Sequence, residues 1–514
     1  MIRAGIDVGG TNTDAVLLQD STVLAAAKQP TTADVTSGVI DSLRQVLDQS
    51  KIAPAAVDAV MIGTTHFVNA VVQRRDLASV AALRVNLPAA ARIPPFSDWP
   101  PDLRDIVRGQ VFMVRGGHEV DGRPIVPIDT AAIRDAARAI RAAGIASVGV
   151  SAVFSPLTSA AEDTAAAILR EECPGVVVTL SHDLGRIGLL ARENVALLNA
   201  SLIPLARRTI TAFEQALRAM GIGAPLYITQ NDGTVVRAEN AAAFPVHCFA
   251  SGPTNSLRGA AFLSGLTEAV VIDIGGTTSD FGALAHGFPR PANNIVQIGG
   301  VRTLFRMPDL LSIGLGGGTL VDPADPDRIG PRSVGFRLTE QALVFGGDTL
   351  TCTDIGVAAG LIRLGDPQRV AGVPVDFVRR ALARIHAMIE ENADRMKTST
   401  APLPLIAVGG GGFLMPEWIA GFSGVVRVPH QEVANAVGAA IAQVSGEVDR
   451  VFTGIGRPAA IAEATGVARD RAVGNGADPA TLEVVEVEDL PLAYLPGDSL
   501  RVRVRVVGDV QHAV

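Results

Sequence analysis

Cysteine, lysine and aromatic residues are all scarce in this 514-residue chain, and each scarcity removes a class of chemistry. The 3 cysteines, Cys173, Cys248 and Cys352, are too widely spaced for a CxxC metal site and too few for a disulfide framework. The only lysines are Lys28, Lys51 and Lys397, and none follows a glycine, so there is no Walker A loop; a complete GxGxxG is also missing. The 8 histidines show no metal-ligand spacing such as HExxH. Aromatics make up 4% of the chain, no basic stripe interleaves with them, and the net charge is -8, which argues against a nucleic-acid partner. No apolar run of about 18 residues escapes interruption by charge, so no membrane-spanning helix is expected. The opening MIRAGIDVGG runs from a short strand into a glycine turn and does not read as an export signal. Soluble small-molecule chemistry in the cytoplasm is the expectation.

What is present is apolar and regularly patterned. Hydrophobic residues make up 48% and charged residues 19% of a chain long enough for two or three cores. Short Val/Ile-rich runs at 59–63, 80–85, 146–153, 176–180, 225–229, 269–274 and 405–410 alternate with helical patterns at 129–143, 159–172, 187–220, 254–264 and 375–396. Such alternation predicts an α/β architecture. Residues 90–128 read as an insertion. Beyond about 445 the sequence predicts a small appended unit, one helix over 457–475 and then two strands, the second (RVRVRVV) with one solvated face.

One short segment occurs twice. AGIDVGGTNTD at 4–14 returns as VVIDIGGTTSD at 270–280, so Asp7 falls on Asp273, Gly9 and Gly10 on Gly275 and Gly276, Thr11 on Thr277, and Asp14 on Asp280. In each copy a strand delivers an aspartate, two glycines turn the backbone without a Cβ, and hydroxyls follow. Such a turn offers N–H and O–H donors to an anion. An aspartate beside a phosphate makes sense when a divalent cation, Mg²⁺ with its waters, lies between them. Both copies lead into extended runs rather than helices, which separates them from a strand–loop–helix phosphate site. The predicted donors are Gly9, Gly10, Thr11, Asn12 and Thr13 in the first loop and Gly275, Gly276, Thr277 and Thr278 in the second, with Asp7 and Asp273 holding the metal. A third feature, a strand ending in Gly409, Gly410, Gly411 and Gly412, suits close backbone approach to a flat ligand such as adenosine.

Other candidates stand at predicted element ends. Thr64, Thr65 and Asn69 begin a helix after a strand, where they cap it or bind a polar substrate. Asn231, Asp232 and Gly233 end another strand, either as a turn or as ligand groups, with Asp232 the candidate general base or substrate anchor. Glu193, with Asn194, opens a long helix and reaches the cleft or lies in solvent.

Two aspartate–glycine loops and a glycine-rich adenosine loop form the pattern of the sugar kinase and actin superfamily. Within it, GTTHFVNAVVQR (63–74), RENVALLNASL (192–202), TQNDGTVV (229–236), FASGPTNSLRGA (249–260), SIGLGGGTLVD (312–322), GPRSVGF (330–336), GGDTLTCTDIG (346–356) and VGGGGFLMP (408–416) resemble the hydantoinase A/oxoprolinase family. The resemblance runs from residue 1 to about 445. It implies an α/β fold with two actin-like ATPase lobes, mixed sheets flanked by helices, at 1–185 and 186–446 around a cleft, followed by the α+β unit at 447–514. It also implies use of ATP and Mg²⁺ to activate a cyclic amide carbonyl by phosphorylation, for hydrolysis or, in some relatives, carboxylation. The B-type hydrolase module is missing, so a B-type hydantoinase subunit is the implied partner; a homo-oligomer is left open. A small-molecule kinase and a nucleotide-gated ATPase acting on a partner are the alternatives on the same fold. His66, Asn12 and the sequence Phe413, Leu414, Met415 after the glycines depart from the family pattern, which bears on substrate and nucleotide fit.

Overall fold

Strand Ile2–Val8 turns through two glycines into Asn12–Gln19, and strand Ala269–Ile274 turns in the same way into Ser279–Ala285. The computed structural model describes residues 1–31, 35–185, 187–292, 296–304, 307–493 and 498–511. Around each hairpin a mixed sheet is built. The first sheet has nine strands in the spatial order 483–491, 500–508, 444–452, 235–237, 226–229, 59–64, 2–8, 12–19 and 22–30. The second orders 288–289, 279–285, 269–274, 403–408 and 422–427, with 310–313 also paired to 279–285. In both, the aspartate strand lies between its antiparallel hairpin partner and a parallel neighbour, 59–64 in one and 403–408 in the other.

Apart from Arg3 and the two aspartates, these central strands are largely apolar because helices cover the sheets, as buried strands require. Ile6, Val60 and Ile62 belong to the core of the first sheet, and Val270, Ile272 and Leu405 to that of the second. Helices Ser251–Ser264 and Ala434–Ala440 cross between the sheets at very short range. A Cβ on Gly259 would lie 1.8 Å from the Ala434 carbonyl oxygen, and one on Gly438 would lie 1.8 Å from that of Asn255. Only glycine allows this approach.

A third sheet, wholly parallel, orders 108–115, 80–87, 147–152 and 177–180. Its helices form where their ends predict. Asp129 caps Thr130–Ala142 by accepting from the Ala132 N–H at 2.9 Å, a bond worth about 1 kcal/mol. The insertion expected at 90–128 is therefore part of a larger unit, since strands on either side of it pair with each other.

Sheet membership also crosses the boundaries expected at 185 and 446. Strands 226–229 and 235–237 join the first sheet, and strands 444–452, 500–508 and 483–491 extend its edge. The solvated face expected for RVRVRVV needs correction. Strand 500–508 is flanked on both sides, and its arginines meet acids on the neighbouring strands: Arg501 pairs with Asp449, and Arg503 with Glu447 and Glu486. Arg503 is 3% exposed. The alternation marked a polar face, and salt bridges rather than water fill it.

Candidate active site

The two duplicated loops meet. A Cβ placed on Gly276 would lie 3.3 Å from Thr11 Cγ2, so the second turn touches the first. Their internal geometry is the same: the Gly9 N–H donates to the Asn12 carbonyl at 3.0 Å and the Gly275 N–H to the Thr278 carbonyl at 2.9 Å. The aspartates correspond too, with Asp7 directly opposite Asp14 across one hairpin and Asp273 opposite Asp280 across the other.

Each turn is tied from behind. Thr31 donates its hydroxyl to the Gly9 carbonyl (2.8 Å) and its N–H to the Thr11 carbonyl (2.9 Å), while the Gly317 and Gly318 N–H groups donate to the Gly275 and Gly276 carbonyls at 3.0 and 2.7 Å. In a trans peptide the carbonyl and the next N–H point oppositely. Fixing these carbonyls therefore turns the N–H groups of Gly10, Gly276 and Thr277 the other way, an arrangement suited to an anion.

The carboxylates are held by amides and one lysine. Asp7 accepts from Asn255 Nδ2 and Asn435 Nδ2, each at 3.0 Å, and the Asn435 amide also reaches Asp14 at 2.9 Å. Lys28 Nζ donates to both oxygens of Asp14, at 2.7 and 2.9 Å. Ser256 donates to Asp273, and Ser312 to Asp280. Burial pushes the Asp7 carboxyl up to about 7, opposed by the two amide bonds and assisted by the negative charge of Asp14 and Asp273. Asp14 and Asp273 are raised for the same first cause, and Asp280, which keeps a solvent-facing edge, is pushed to about 6.

The close approach of Asp7 to Asn255 explains a glycine outside the turns. A Cβ on Gly63 would fall 2.2 Å from Asn255 Nδ2 and 2.5 Å from Asp7 Oδ1. Beyond it, Thr64 is buried, its N–H donating to Ser251 Oγ (3.0 Å) and its hydroxyl accepting from the His66 N–H (3.1 Å). Thr65 accepts from Asn69 Nδ2 at 3.2 Å. A Cβ on Gly252 would lie 3.7 Å from Thr65 and 3.9 Å from Asp7, so this helix start borders the first loop. The glycine run borders the second: a Cβ on Gly409 would fall 2.2 Å from Asp273 Oδ1, and one on Gly411 would fall 2.6 Å from Ile274 Cγ2.

Four predicted residues lie in other bonding arrangements. Asn231 is a clamp, its amide donating to the Val246 carbonyl at 3.1 Å and accepting from the Ala250 N–H at 2.8 Å, which anchors the start of helix Ser251–Ser264. Asp232 accepts from Thr234 Oγ1 (2.6 Å) and Arg505 Nη1 (3.2 Å). Gly233 has φ +79 and packs against Arg258. Glu193 is neither solvated nor at the loops: it is buried against the fully buried Arg84, whose Nε donates to it at 2.8 Å, and Ser151 donates to it at 2.6 Å. Its neighbour Asn194 accepts from Trp99 Nε1 at 2.8 Å.

Reading from the sequence missed Asn255, Ser256, Asn435 and Lys28 as partners of the aspartates. Asn255 and Ser256 lie inside FASGPTNSLRGA, which marks the segment but not the contact; nothing around Asn435 signals its role. Among the described residues no cluster of three or more His, Cys, Asp or Glu side chains is arranged to hold a metal ion. No described helix is long and apolar enough to cross a membrane.

Two mixed sheets, each presenting an Asp-x-Gly-Gly hairpin to the other across a helix crossing, define the two-lobed actin-like fold. The chain aligns with an ATP-dependent caprolactamase structure from Pseudomonas jessenii with a TM-score of 0.75 at 19% identity, over 99% of this chain and 88% of that one. Residues 3–173 match the hydantoinase/oxoprolinase N-terminal region and residues 192–366 the hydantoinase/oxoprolinase family proper, and the chain belongs to this family. It is 26% identical to the caprolactamase subunit alpha of Pseudomonas jessenii over 71% of its own length, and 28% identical to the acetophenone carboxylase gamma subunit of Aromatoleum aromaticum over 70%. It spans 55% and 53% of those two relatives.

Proposed function

We propose that this chain binds ATP between its two Asp-x-Gly-Gly loops and transfers the γ-phosphoryl group to the carbonyl oxygen of a cyclic amide. It would act as an ATP-dependent cyclic amidohydrolase or as the ATP-binding subunit of one. The observation that carries this reading is the pair of loops with matching hydrogen bonds, carbonyls tied back, and Gly276 against Thr11. Phosphoryl transfer asks for positioning and charge neutralisation more than covalent chemistry, and these loops offer both. The N–H groups of Gly10, Gly276 and Thr277, with the hydroxyls of Thr11, Thr13, Thr277 and Thr278, would orient the phosphates. Phosphorylation of the amide oxygen makes the ring carbon electrophilic; one water adds there and the C–N bond opens to an acyl phosphate and a free amine, and a second water then hydrolyses the acyl phosphate to the carboxylate and inorganic phosphate.

The donor set fits a hydrated divalent cation better than a protein cage. Asp7 stands opposite Asp14, which holds Lys28, and Asp273 stands opposite Asp280, and no three-ligand cluster is built among the described residues. Mg²⁺ bound through one or two carboxylates, its own waters and phosphates matches that pattern, with Asp7 and Asp273 as its holders. When bound it would neutralise charge on the transferring group.

Glycines 409 to 412 would border the adenosine, and Thr64, Thr65 and Asn69 the substrate side. Asp232 would act through Arg505 and Asn231 through the helix it anchors. The similarity to an acetophenone carboxylase subunit favours one second reading, in which the activated oxygen serves carboxylation.

The test is ADP release by the purified chain, with and without a B-type subunit, over lactams, a hydantoin, 5-oxoproline and a ketone with bicarbonate. ADP formed with a ring amide, together with the opened product, is the expected result. A stable phosphorylated product would make the chain a kinase, and substrate-independent turnover altered by a partner would make it a nucleotide-gated ATPase; either outcome overturns the proposal.

A further inference from the structure

Strand Val80–Leu87 of the parallel sheet ends in a side chain that nothing else in the structure uses. Asn86 is 0% exposed, and neither its Nδ2 nor its Oδ1 has a hydrogen-bond partner among the described residues. Nearly all buried polar groups are paired, so a donor and an acceptor left open on one carboxamide call for an occupant. The strand bulges at this point: Val85 pairs with Val114 and Leu87 with Arg115, leaving Asn86 as the extra residue. Bulges re-aim side chains and gather beside binding sites.

The place in the fold is also one where ligands bind. Strand 80–87 lies between 108–115 on one side and 147–152 on the other, so the chain leaves it in one direction and returns past it in the opposite one. Crevices at the carboxyl ends of strands at such a switch point are the ligand sites of open parallel sheets. The turn after strand 108–115 passes flush against this end: a Cβ on Gly117 would lie 3.0 Å from the Val85 carbonyl and 3.6 Å from Asn86 Cα. The next residue, His118, has a buried Nδ1 that is likewise unpartnered among the described residues. Arg84, two positions back on the same strand, is neutralised by Glu193, which suits a neutral ligand. The chain after the strand is held where the Arg84 guanidinium donates to the Ile93 carbonyl.

We propose that Asn86 is the recognition group of a site for a cyclic secondary amide, held edge to edge by two hydrogen bonds. A primary carboxamide presents a carbonyl oxygen and a syn N–H on one edge. A small ring forces its own amide cis, so a lactam presents the complementary N–H and carbonyl together, and both open atoms of Asn86 are satisfied at once. An open-chain secondary amide is trans and turns these groups to opposite edges, so it can pair only one of them. The ring-opened product carries a carboxylate and an ammonium, which an enclosed neutral site disfavours. The site thus selects substrate over product, while the lactam oxygen keeps its second lone pair.

This assignment rests on the cyclic-amide reading, and the experiment separates the two. Binding to the full chain without nucleotide is measured by calorimetry for δ-valerolactam, its N-methyl derivative and N-methylacetamide. The lactam is expected to bind, with both analogues weaker by ~10-fold or more. Asn86→Leu is expected to lose lactam binding by a similar factor while melting at or above the wild-type temperature, because an unpaired buried amide has been removed. Asn86→Asp, which lacks the donor, is expected to lose binding as well, and the analogue comparison on the wild-type chain holds even where a variant fails to fold. Equal binding of the N-methyl lactam, full lactam binding by Asn86→Leu, or no lactam binding by the wild type would overturn the site. Lactam-dependent ADP release that survives Asn86→Leu unchanged would sink the site alone. Lactam binding through Asn86 with no ring-dependent ADP release would sink the phosphorylation reading alone.

Discussion

Asp7 is enclosed by protein, accepts two amide hydrogen bonds, and still has its carboxyl raised to about 7. Between the ordinary carboxylate range and about pH 7 the folded chain therefore holds a proton that the unfolded chain has released. Stability from this group is greatest in acid and is lost as pH rises through about 7. Asp7→Asn is expected to flatten that part of the profile, melting at or above wild type near pH 8 while ATP turnover falls by ~10²-fold or more. Thermal melts at several pH values with an ADP assay check both halves, and near-wild-type turnover would refute the paired-loop model. Asp273→Asn should lose turnover in parallel. Glu193 behaves oppositely. Glu193→Gln leaves Arg84 buried without its countercharge, and a loss of ~3–5 kcal/mol in denaturant unfolding is expected. At this scale the matching positions of Asp7 and Asp273 were legible because the motif occurs twice, whereas the pairing of Glu193 with Arg84 was not, because the two lie 109 residues apart in sequence.

Among the elements, the glycines of the run at 409–412 have different surroundings. Gly411 has no room for a side chain, since a Cβ there would fall 2.6 Å from Ile274 Cγ2, whereas a Cβ on Gly410 would meet only Lys28 Cε, at 3.6 Å. Gly411→Ala is expected to lower the melting temperature by overpacking, roughly 1–3 kcal/mol. Gly410→Ala should fold as wild type and raise the KM for ATP by about tenfold, or about 1.4 kcal/mol, through lost backbone approach. Melting curves and ATP titrations of the two variants distinguish packing from ligand approach; a Gly410→Ala enzyme with unchanged KM would remove the adenosine role. Strand and helix positions were readable from periodicity and end residues, as Asp129 shows. The crossing of helices Ser251–Ser264 and Ala434–Ala440 was not, because contact between glycine and a distant backbone leaves no periodic trace.

For the whole molecule, strands 444–452, 483–491 and 500–508 are a continuation of the first sheet. Val448, Val502 and Val504 share a core with Met61 and Tyr227, and Arg505 reaches back to Asp232. Truncation after residue 446 is therefore expected to abolish cooperative folding of the chain; a truncated protein that melts as wild type would show the segment to be separable. The sequence marked these residues as appended because local pattern carries no information on which sheet a strand joins. Its alternating arginines were equally ambiguous until Glu447, Asp449 and Glu486 were seen on the flanking strands.

The adjacent residues Asn255 and Ser256 hold Asp7 of one sheet and Asp273 of the other. Neighbouring helix positions point about 100° apart, so the two acids hang from different sides of a single rod. Any displacement of this one helix would therefore reach both aspartates directly, with no relay through the sheets.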